Sequence, residues 1–110
     1  MRDFSIFAGD SKVIEVSVVD AAGEVVDITG GTVKWRAART VKGPALISKQ
    51  IGSGIAITDG AGGLFEVELD PADTENLSGL YYHEAEVMLA GVPHTVVTGA
   101  FLVTPTLIRP

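Results

Sequence analysis

The chain has 110 residues, a formal net charge of −6, 46% hydrophobic residues and no cysteine. This length is typical of one domain, and the apolar content excludes an intrinsically disordered chain. Without cysteine there are no disulfides, no thiolate metal ligands and no cysteine nucleophile. The eight basic residues never occur in a run, so no nucleic-acid partner is predicted. No apolar stretch reaches the roughly 18 residues of a membrane-spanning helix, and the N-terminus lacks the apolar segment of a signal peptide, so no membrane contact is predicted.

Alternating apolar and polar residues, the pattern of half-buried β-strands, recur along most of the chain. In the first such segment Ile14, Val16 and Val18 share one face. The glycine-rich segment 59–63 is predicted to be the tip of a hairpin. In chain order the predicted strands are 13–18, 32–39, 45–51, 55–58, 64–69, 81–89 and 95–103. Among them, strand 45–51 is predicted to lie at an edge of the sheet, with Lys49 exposed.

The only helical signal lies in segment 70–77. Asp70 suits the N-cap position and Pro71 suits the first helical position. Asp73 falls in the first turn, where a carboxylate interacts favourably with the positive end of the helix dipole. Gly79 ends the signal after little more than one turn. The sequence therefore predicts one short helical turn, in which Asp70 and Asp73 have structural roles.

About seven or eight short strands, with no long helix between them, exclude a parallel α/β sheet. Trp35 is predicted to face inward on strand 32–39, where immunoglobulin-like folds place a core tryptophan. Leu77 and Tyr81 stand at the entrance to the penultimate strand and resemble a tyrosine corner. The sequence therefore predicts an all-β fold, an immunoglobulin-like antiparallel β-sandwich over residues 1–103, followed by a tail at 104–110.

Charges support one strand pairing within this sandwich. If the tryptophan strand pairs with strand 81–89, Lys34 and Arg36 face Glu84 and Glu86. Opposite charges across a strand pair stabilise it by about 0.2–1 kcal/mol each. The alternation of charge therefore predicts the register of this pair.

Few residues suggest chemistry. His83 has Glu84 beside it, but neighbours on a strand point to opposite faces, so a shared metal ion is not predicted. Segment 59–63 offers only Asp59 to a cation and lacks the Lys-Ser/Thr ending of a phosphate loop. No serine lies in the context of an activated nucleophile. We therefore predict a non-enzymatic protein with no catalytic residue, metal or cofactor.

Two segments are candidates for contacts with other proteins. The tail carries Leu107 and Ile108, apolar residues from which a monomer gains little when they are exposed. One interpretation is a docking arm that adds to a neighbouring subunit; the other is a tail that folds on its own domain or is disordered. Lys49 and Ile51, on the predicted edge strand, are the second candidate contact.

The order and spacing of several short segments resemble a phage protein family. Each segment consists mainly of turn and strand residues, and together they extend over nearly the whole chain. They are Phe4-x-Ile6-x-Ala8-Gly9-Asp10, Asp27-Ile28-Thr29-Gly30, Val33-Lys34-Trp35, Ile55-x-Ile57-Thr58-Asp59, Gly63-x-Phe65, Leu69-x-Pro71-x-Asp73-Thr74 and Gly79-x-Tyr81. This set is similar to the immunoglobulin-like N-terminal domain of phage baseplate upper proteins and to small virion proteins related to it.

The resemblance implies a fold and a setting rather than an active site. It leads us to expect a phage or prophage virion structural protein of the tail, baseplate, neck or capsid surface, assembled in the bacterial host cytoplasm. Its expected partners are other virion proteins and further copies of itself. Baseplate proteins of this kind usually continue into a fibre or receptor-binding part, and this chain stops at Pro110, which favours an accessory or connector subunit. The alternative is a module that binds cell-surface glycans, for which Tyr82 is the one plausible outward aromatic residue.

Overall fold

A computed structural model of the chain describes residues 3–107. Strands account for 60% of the residues and helix for 4%, which confirms the predicted all-β class with one short helical turn. The elements are β1 (Phe4–Phe7), β2 (Lys12–Ser17), β3 (Thr32–Ala38), β4 (Ala45–Ile51), β5 (Gly54–Asp59), β6 (Leu64–Leu69), α1 (Pro71–Thr74), β7 (Gly79–Leu89) and β8 (Val92–Thr104). No helix in this part of the chain is long and apolar enough to cross a membrane.

The eight strands form one hydrogen-bonded sheet in the order β1-β8-β7-β3-β4-β5-β6-β2. The sheet is least continuous between β4 and β5, which share only two residue pairs. We call β1, β8, β7, β3 and β4 the front sheet, and β5, β6 and β2 the back sheet. This division is that of an immunoglobulin sandwich. The front-sheet strands β3, β7 and β8 take the places of its C, F and G strands, and the back-sheet strands β2, β5 and β6 take those of its B, D and E strands.

The sheet is mixed, and this corrects the prediction of a wholly antiparallel arrangement. β1 runs parallel to β8, and β4 runs parallel to β5. In both cases the chain passes from one sheet to the other: through residues 8–11 after β1, and through residues 52–53 after β4. Because the chain crosses between sheets after β1 and after β4, neither strand forms an antiparallel hairpin with the strand that follows it. Alternation of apolar residues reports which face is buried and carries no information on strand direction.

The core lies between the two sheets. Trp35 and Phe101 from the front sheet and Phe65 from the back sheet are the largest fully buried side chains. Tyr81 and Phe101 stack with ring centroids 5.5 Å apart, and Phe4 stacks on the other side of Phe101 at 4.8 Å. Ile14, Val16 and Val18, which share one face of their strand, are buried, and so is Trp35, as predicted. The alternating apolar residues of β3 and β6 are buried in the same way: Val33, Ala37, Phe65, Val67 and Leu69.

A hydrogen bond joins Trp35 to His83 inside the core. The indole Nε1–H of Trp35 donates to Nδ1 of His83 over 3.2 Å, and both side chains are buried. An indole nitrogen is only a donor, so Nδ1 is the acceptor and the proton of the neutral imidazole lies on Nε2. His83 is thus a structural core residue.

Tyr81 closes the corner that leads into β7. Its hydroxyl accepts from Ser78 N–H and donates to the Ser78 carbonyl, each over 3.0 Å. Leu77, just upstream, is partly buried against the core. The arrangement has the geometry of a tyrosine corner, in which the phenol satisfies backbone groups of the preceding turn.

The observed pairing of β3 with β7 is the one that the charges predicted. Lys34 lies opposite Glu86, and Arg36 lies opposite Glu84. Segment 59–63 forms the tip of the antiparallel β5–β6 hairpin, as expected. The last strand is longer than predicted, because β8 begins at Val92 and extends to Thr104. Thr104, the first residue of the predicted tail, is paired with Phe7 in the sheet.

Candidate functional site

The outer face of the front sheet carries a cluster of exposed apolar side chains. Phe7 of β1, Leu102 of β8, and Leu80 and Tyr82 of β7 all face solvent. We call these four residues the apolar patch. They alternate with buried core residues of the same strands, which is why they point outward. Large apolar side chains that gather on one face of a soluble protein mark sites of interaction with other molecules.

The strand register makes the patch continuous. Leu80 lies directly opposite Leu102, and Tyr82 lies opposite Ala100. Phe7 pairs with Thr104 on the neighbouring parallel strand, two residues beyond Leu102 and on the same face. Residues at such positions are about 5–8 Å apart, which is within reach of large side chains. The sequence predicts Tyr82 as the one outward aromatic residue; Phe7 corrects this prediction, since it is 54% exposed. The two leucines become part of one surface only through the pairing of β7 with β8.

Beside the patch, the outer face carries two columns of opposite charge. Lys34 and Arg36 project from β3, and Glu84 and Glu86 project from β7. Within residues 3–107, the ion pairs shorter than 4.0 Å all involve Lys49, so these four charges form no such pair with each other. Lys34, Arg36 and Glu84 are exposed and Glu86 is half-buried, so both columns face solvent.

A groove of about 480 Å³ opens on the same outer face. Alanines of β3 and β8, Ala38 and Ala100, form its floor, because their small side chains leave space beside Tyr82. Thr40 and Val41 of the β3–β4 loop form one wall, so this loop overhangs the outer face. Val41 in this loop is 77% exposed.

The loop beside the groove is held at its base. Arg39 Nη1 donates to the carbonyl oxygen of Ser78 over 3.1 Å, and the Arg39 guanidinium lies 4.6 Å from the Tyr81 ring centroid. Gly43 N–H donates to the Thr40 carbonyl and closes a turn at the other end. The wall of the groove is thus built on the same corner that fixes β7.

The prediction that Lys49 is exposed and available for contacts is wrong. Its side chain points between the sheets and is 8% exposed. Its Nζ lies 2.7 Å from Asp73 Oδ2 and 3.8 Å from Asp70 Oδ2. Its stem passes over Gly54, where any side chain would collide with Lys49 Cδ. Lys49 therefore ties β4 to α1 and is a structural residue, because an ammonium can be buried when a carboxylate meets it.

Asp70 and Asp73 have the structural positions that the sequence predicted, with one addition. Asp73 Oδ2 accepts the backbone N–H of Asp70 over 2.7 Å, and Asp73 N–H donates to the Asp70 carbonyl. This is how the first turn of α1 satisfies its backbone groups. The same Asp73 oxygen meets Lys49, a link that no local pattern indicated.

The remaining candidate contact residues are Ile51, Leu107 and Ile108. Ile51, at the end of β4, is exposed. β4 is not the edge strand of the sequence prediction, although only its last two residues pair with β5. Leu107 is fully exposed beyond β8, and Ile108 falls outside the described residues. In the sheet, β7 and β3 separate β4, which carries Ile51, from β8.

Among residues 3–107, no group of three or more His, Asp or Glu side chains is placed to hold a metal ion. His83 is buried in the core, and His94 is exposed on β8. A scan against models of known protein families finds no match to the chain, and a search of curated protein sequences also finds no match.

Proposed function

We propose that this protein is a structural subunit of a phage or prophage virion that works by protein–protein assembly and not by catalysis. The observation that carries this proposal is the apolar patch of Phe7, Leu80, Tyr82 and Leu102 on the outer face of the front sheet. Covering such a patch removes apolar surface from water, and each Å² buried stabilises the assembly by about 25 cal/mol. An assembly subunit is covered in this way by its neighbours.

The setting in a virion is supported by the segments that resemble phage baseplate domains. Each of them has a role in the fold. Ile28 is fully buried, and Asp27 Oδ1 accepts Thr29 N–H; hydrogen bonds from the Thr29 side chain and backbone hold the pKa of Asp27 below its usual 3.8. Gly63 has φ +71°, and a Cβ there would lie 2.7 Å from the Val26 carbonyl oxygen. The resemblance thus concerns residues that specify a sandwich, on which binding surfaces differ from one protein to the next.

We further propose that the tail is a docking arm for other virion proteins. Leu107 is 103% exposed, so it contributes no burial to its own domain. A chain shortened to end at Thr106 is expected to keep the melting temperature of the full chain. We expect the same truncation to prevent incorporation into particles, since it removes the apolar contacts of the arm.

The test uses particles purified from a bacterial culture that carries and induces the gene. Mass spectrometry and immunogold labelling should find the full-length protein in the particles at a fixed ratio to the major virion proteins. The matched control is Val13→Lys, a surface change on the back sheet outside both the arm and the patch. Absence of the full-length protein from purified particles would contradict a virion role, and normal incorporation of the truncated chain would contradict the docking arm.

The groove gives a specific reason to keep a second candidate function, binding of cell-surface glycans. Its lining combines the Tyr82 ring with Arg36, Glu84 and Thr98, and sugars bind through aromatic faces together with hydrogen-bonding groups. If this function is correct, a glycan array should give binding that Tyr82→Ala reduces at least about tenfold, which corresponds to about 1.4 kcal/mol. His94→Ala, a change outside the groove, is the control. Binding to no glycan, or equal binding by both variants, would remove this candidate.

A further inference from the structure

We propose that the outer face of the front sheet binds the same face of a second copy, around a two-fold axis that runs parallel to the strands between β3 and β7. The inference rests on the proposed assembly role and specifies one of its contacts. In such an isologous contact, every residue pair occurs twice, and each feature of the surface must fit another feature of that same surface. Three pairs of features on this face meet the requirement.

The first pair is the two columns of charge. A two-fold axis parallel to the strands, midway between β3 and β7, places β3 of the second copy over β7. The rotation keeps each residue's position along the strand axis, so residues that are level within one copy, meaning paired across β3 and β7, face each other between the copies. Lys34 is level with Glu86, and Arg36 is level with Glu84. Each cation of one copy therefore comes to lie over a carboxylate of the other, on both sides of the axis. An arrangement with like charges facing each other would be costly, so the charges select this orientation.

The second pair is a large side chain and a small one. Tyr82 is level with Ala38 on β3, so the axis places the Tyr82 ring over Ala38 of the second copy. The groove beside Tyr82 exists because Ala38 and Ala100 are small. The ring of each copy thus meets a recess of the other, as the close packing of apolar surfaces requires.

The third pair is the exposed loop and the apolar patch. The β3–β4 loop follows Ala38 and overhangs the outer face, with Val41 exposed near its tip. Ala38 lies opposite Tyr82, and because β3 and β7 are antiparallel, the residues that follow Ala38 run alongside those that precede Tyr82. Leu80, two residues before Tyr82, is there, paired with Leu102 of β8. The axis moves the loop of the second copy across to the β7–β8 side. Val41 of each copy then covers the leucine pair of the other.

These matches favour a second copy over another occupant of the face. A bound peptide or sugar would fill the groove and leave the charge columns and the leucine pair uncovered. A second copy covers all three features at once, with the strands of the two sheets nearly aligned. Twisted sheets that pack face to face adopt such an arrangement, with an angle of about 30° between them.

Charge reversal tests the axis directly, with the full-length chain. Arg36→Glu alone places the introduced carboxylate over Glu84 of the second copy twice, and Glu84→Arg alone places two guanidinium groups together twice. We expect each variant alone to raise the dimer dissociation constant at least about tenfold. An equimolar mixture of the two variants should form a heterodimer, because one cross-copy contact then joins the two native residues and the other joins the two introduced ones, each of opposite sign. Analytical ultracentrifugation measures the dissociation constants, and native mass spectrometry, which distinguishes the two chains by mass, identifies the heterodimer.

A matched pair of lysine substitutions tests the apolar contact. Leu102 and Val13 are exposed to similar extents, 47% and 54%, but Val13 lies on the outer face of the back sheet. Leu102→Lys should raise the dissociation constant at least about tenfold, and Val13→Lys should leave it unchanged. Circular dichroism and the melting temperature verify that every variant is folded, so that a loss of dimer is not a loss of fold.

Several results would overturn the proposal. A wild-type chain that stays monomeric at millimolar concentration excludes the two-fold contact. A mixture of the two charge variants that stays monomeric excludes the proposed axis. The virion role is tested separately by the composition of purified particles: a protein found in particles but monomeric in solution would refute the dimer alone, and a dimer absent from particles would refute the virion role alone.

Discussion

Replacing Trp35 with alanine is expected to lower the free energy of unfolding by about 3–5 kcal/mol. The indole is among the largest fully buried side chains, and it packs against the rings of His83 and Phe101 in the front half of the core. Its removal loses apolar burial and leaves a cavity that the surrounding strands cannot close. Chemical denaturation followed by circular dichroism measures the effect, since the variant lacks the only tryptophan fluorophore.

A double-mutant cycle separates the hydrogen bond from the packing. Trp35→Phe keeps an aromatic ring but removes the donor to His83 Nδ1, so the imidazole loses a partner inside the core. We expect a loss of about 1–3 kcal/mol beyond the change in packing. Adding His83→Phe removes the acceptor as well, so the two substitutions together should cost less than the sum of their separate effects. Costs that simply add would show that the Trp35–His83 bond contributes nothing to stability.

The second large effect is expected at the ion pair between β4 and α1. Asp73→Asn should lower the free energy of unfolding by about 2–3 kcal/mol, because it leaves the Lys49 ammonium between the sheets without its close carboxylate. The expected loss is below the about 3–5 kcal/mol of a fully buried pair, since the Asp73 side chain is 21% exposed. The asparagine retains an oxygen that accepts the Asp70 N–H, so the helical turn is expected to persist.

Asp70→Asn is the matched control for this prediction. It is the same chemical change, also next to Lys49, but Asp70 lies 3.8 Å from Nζ and its side chain is mostly exposed. Exposed ion pairs contribute about 0–1 kcal/mol, and asparagine remains a good N-cap residue, so the control should lose less than about 1 kcal/mol. Urea denaturation of both variants at neutral pH gives the comparison. Equal losses for the two variants would mean that Lys49 is stabilised by the combined charge of α1 and not by Asp73.

Some properties of this protein follow from the sequence alone. Alternation placed Ile14, Val16 and Val18 on one face and Trp35 inward, because a side chain on a strand points to the face opposite that of its neighbour. All four are buried. Opposite charges predicted that Lys34 and Arg36 face Glu84 and Glu86, and the pairing of β3 with β7 confirms this. The short helix was readable because Asp70, Pro71 and Asp73 act within one turn of chain. All of these signals are local, or compare two strands through their own patterns.

Other properties were decided by the tertiary structure. Lys49 is predicted as exposed by its charge, and it is buried because Asp73, from another part of the chain, meets its ammonium between the sheets. The parallel neighbours of β1 and β4 depend on where the chain crosses from one sheet to the other, and alternation does not record strand direction. Leu80 and Leu102 each look like an isolated outward residue in the sequence. They become one apolar surface only when β7 and β8 pair, because contacts between distant segments depend on the register and packing of the whole sheet.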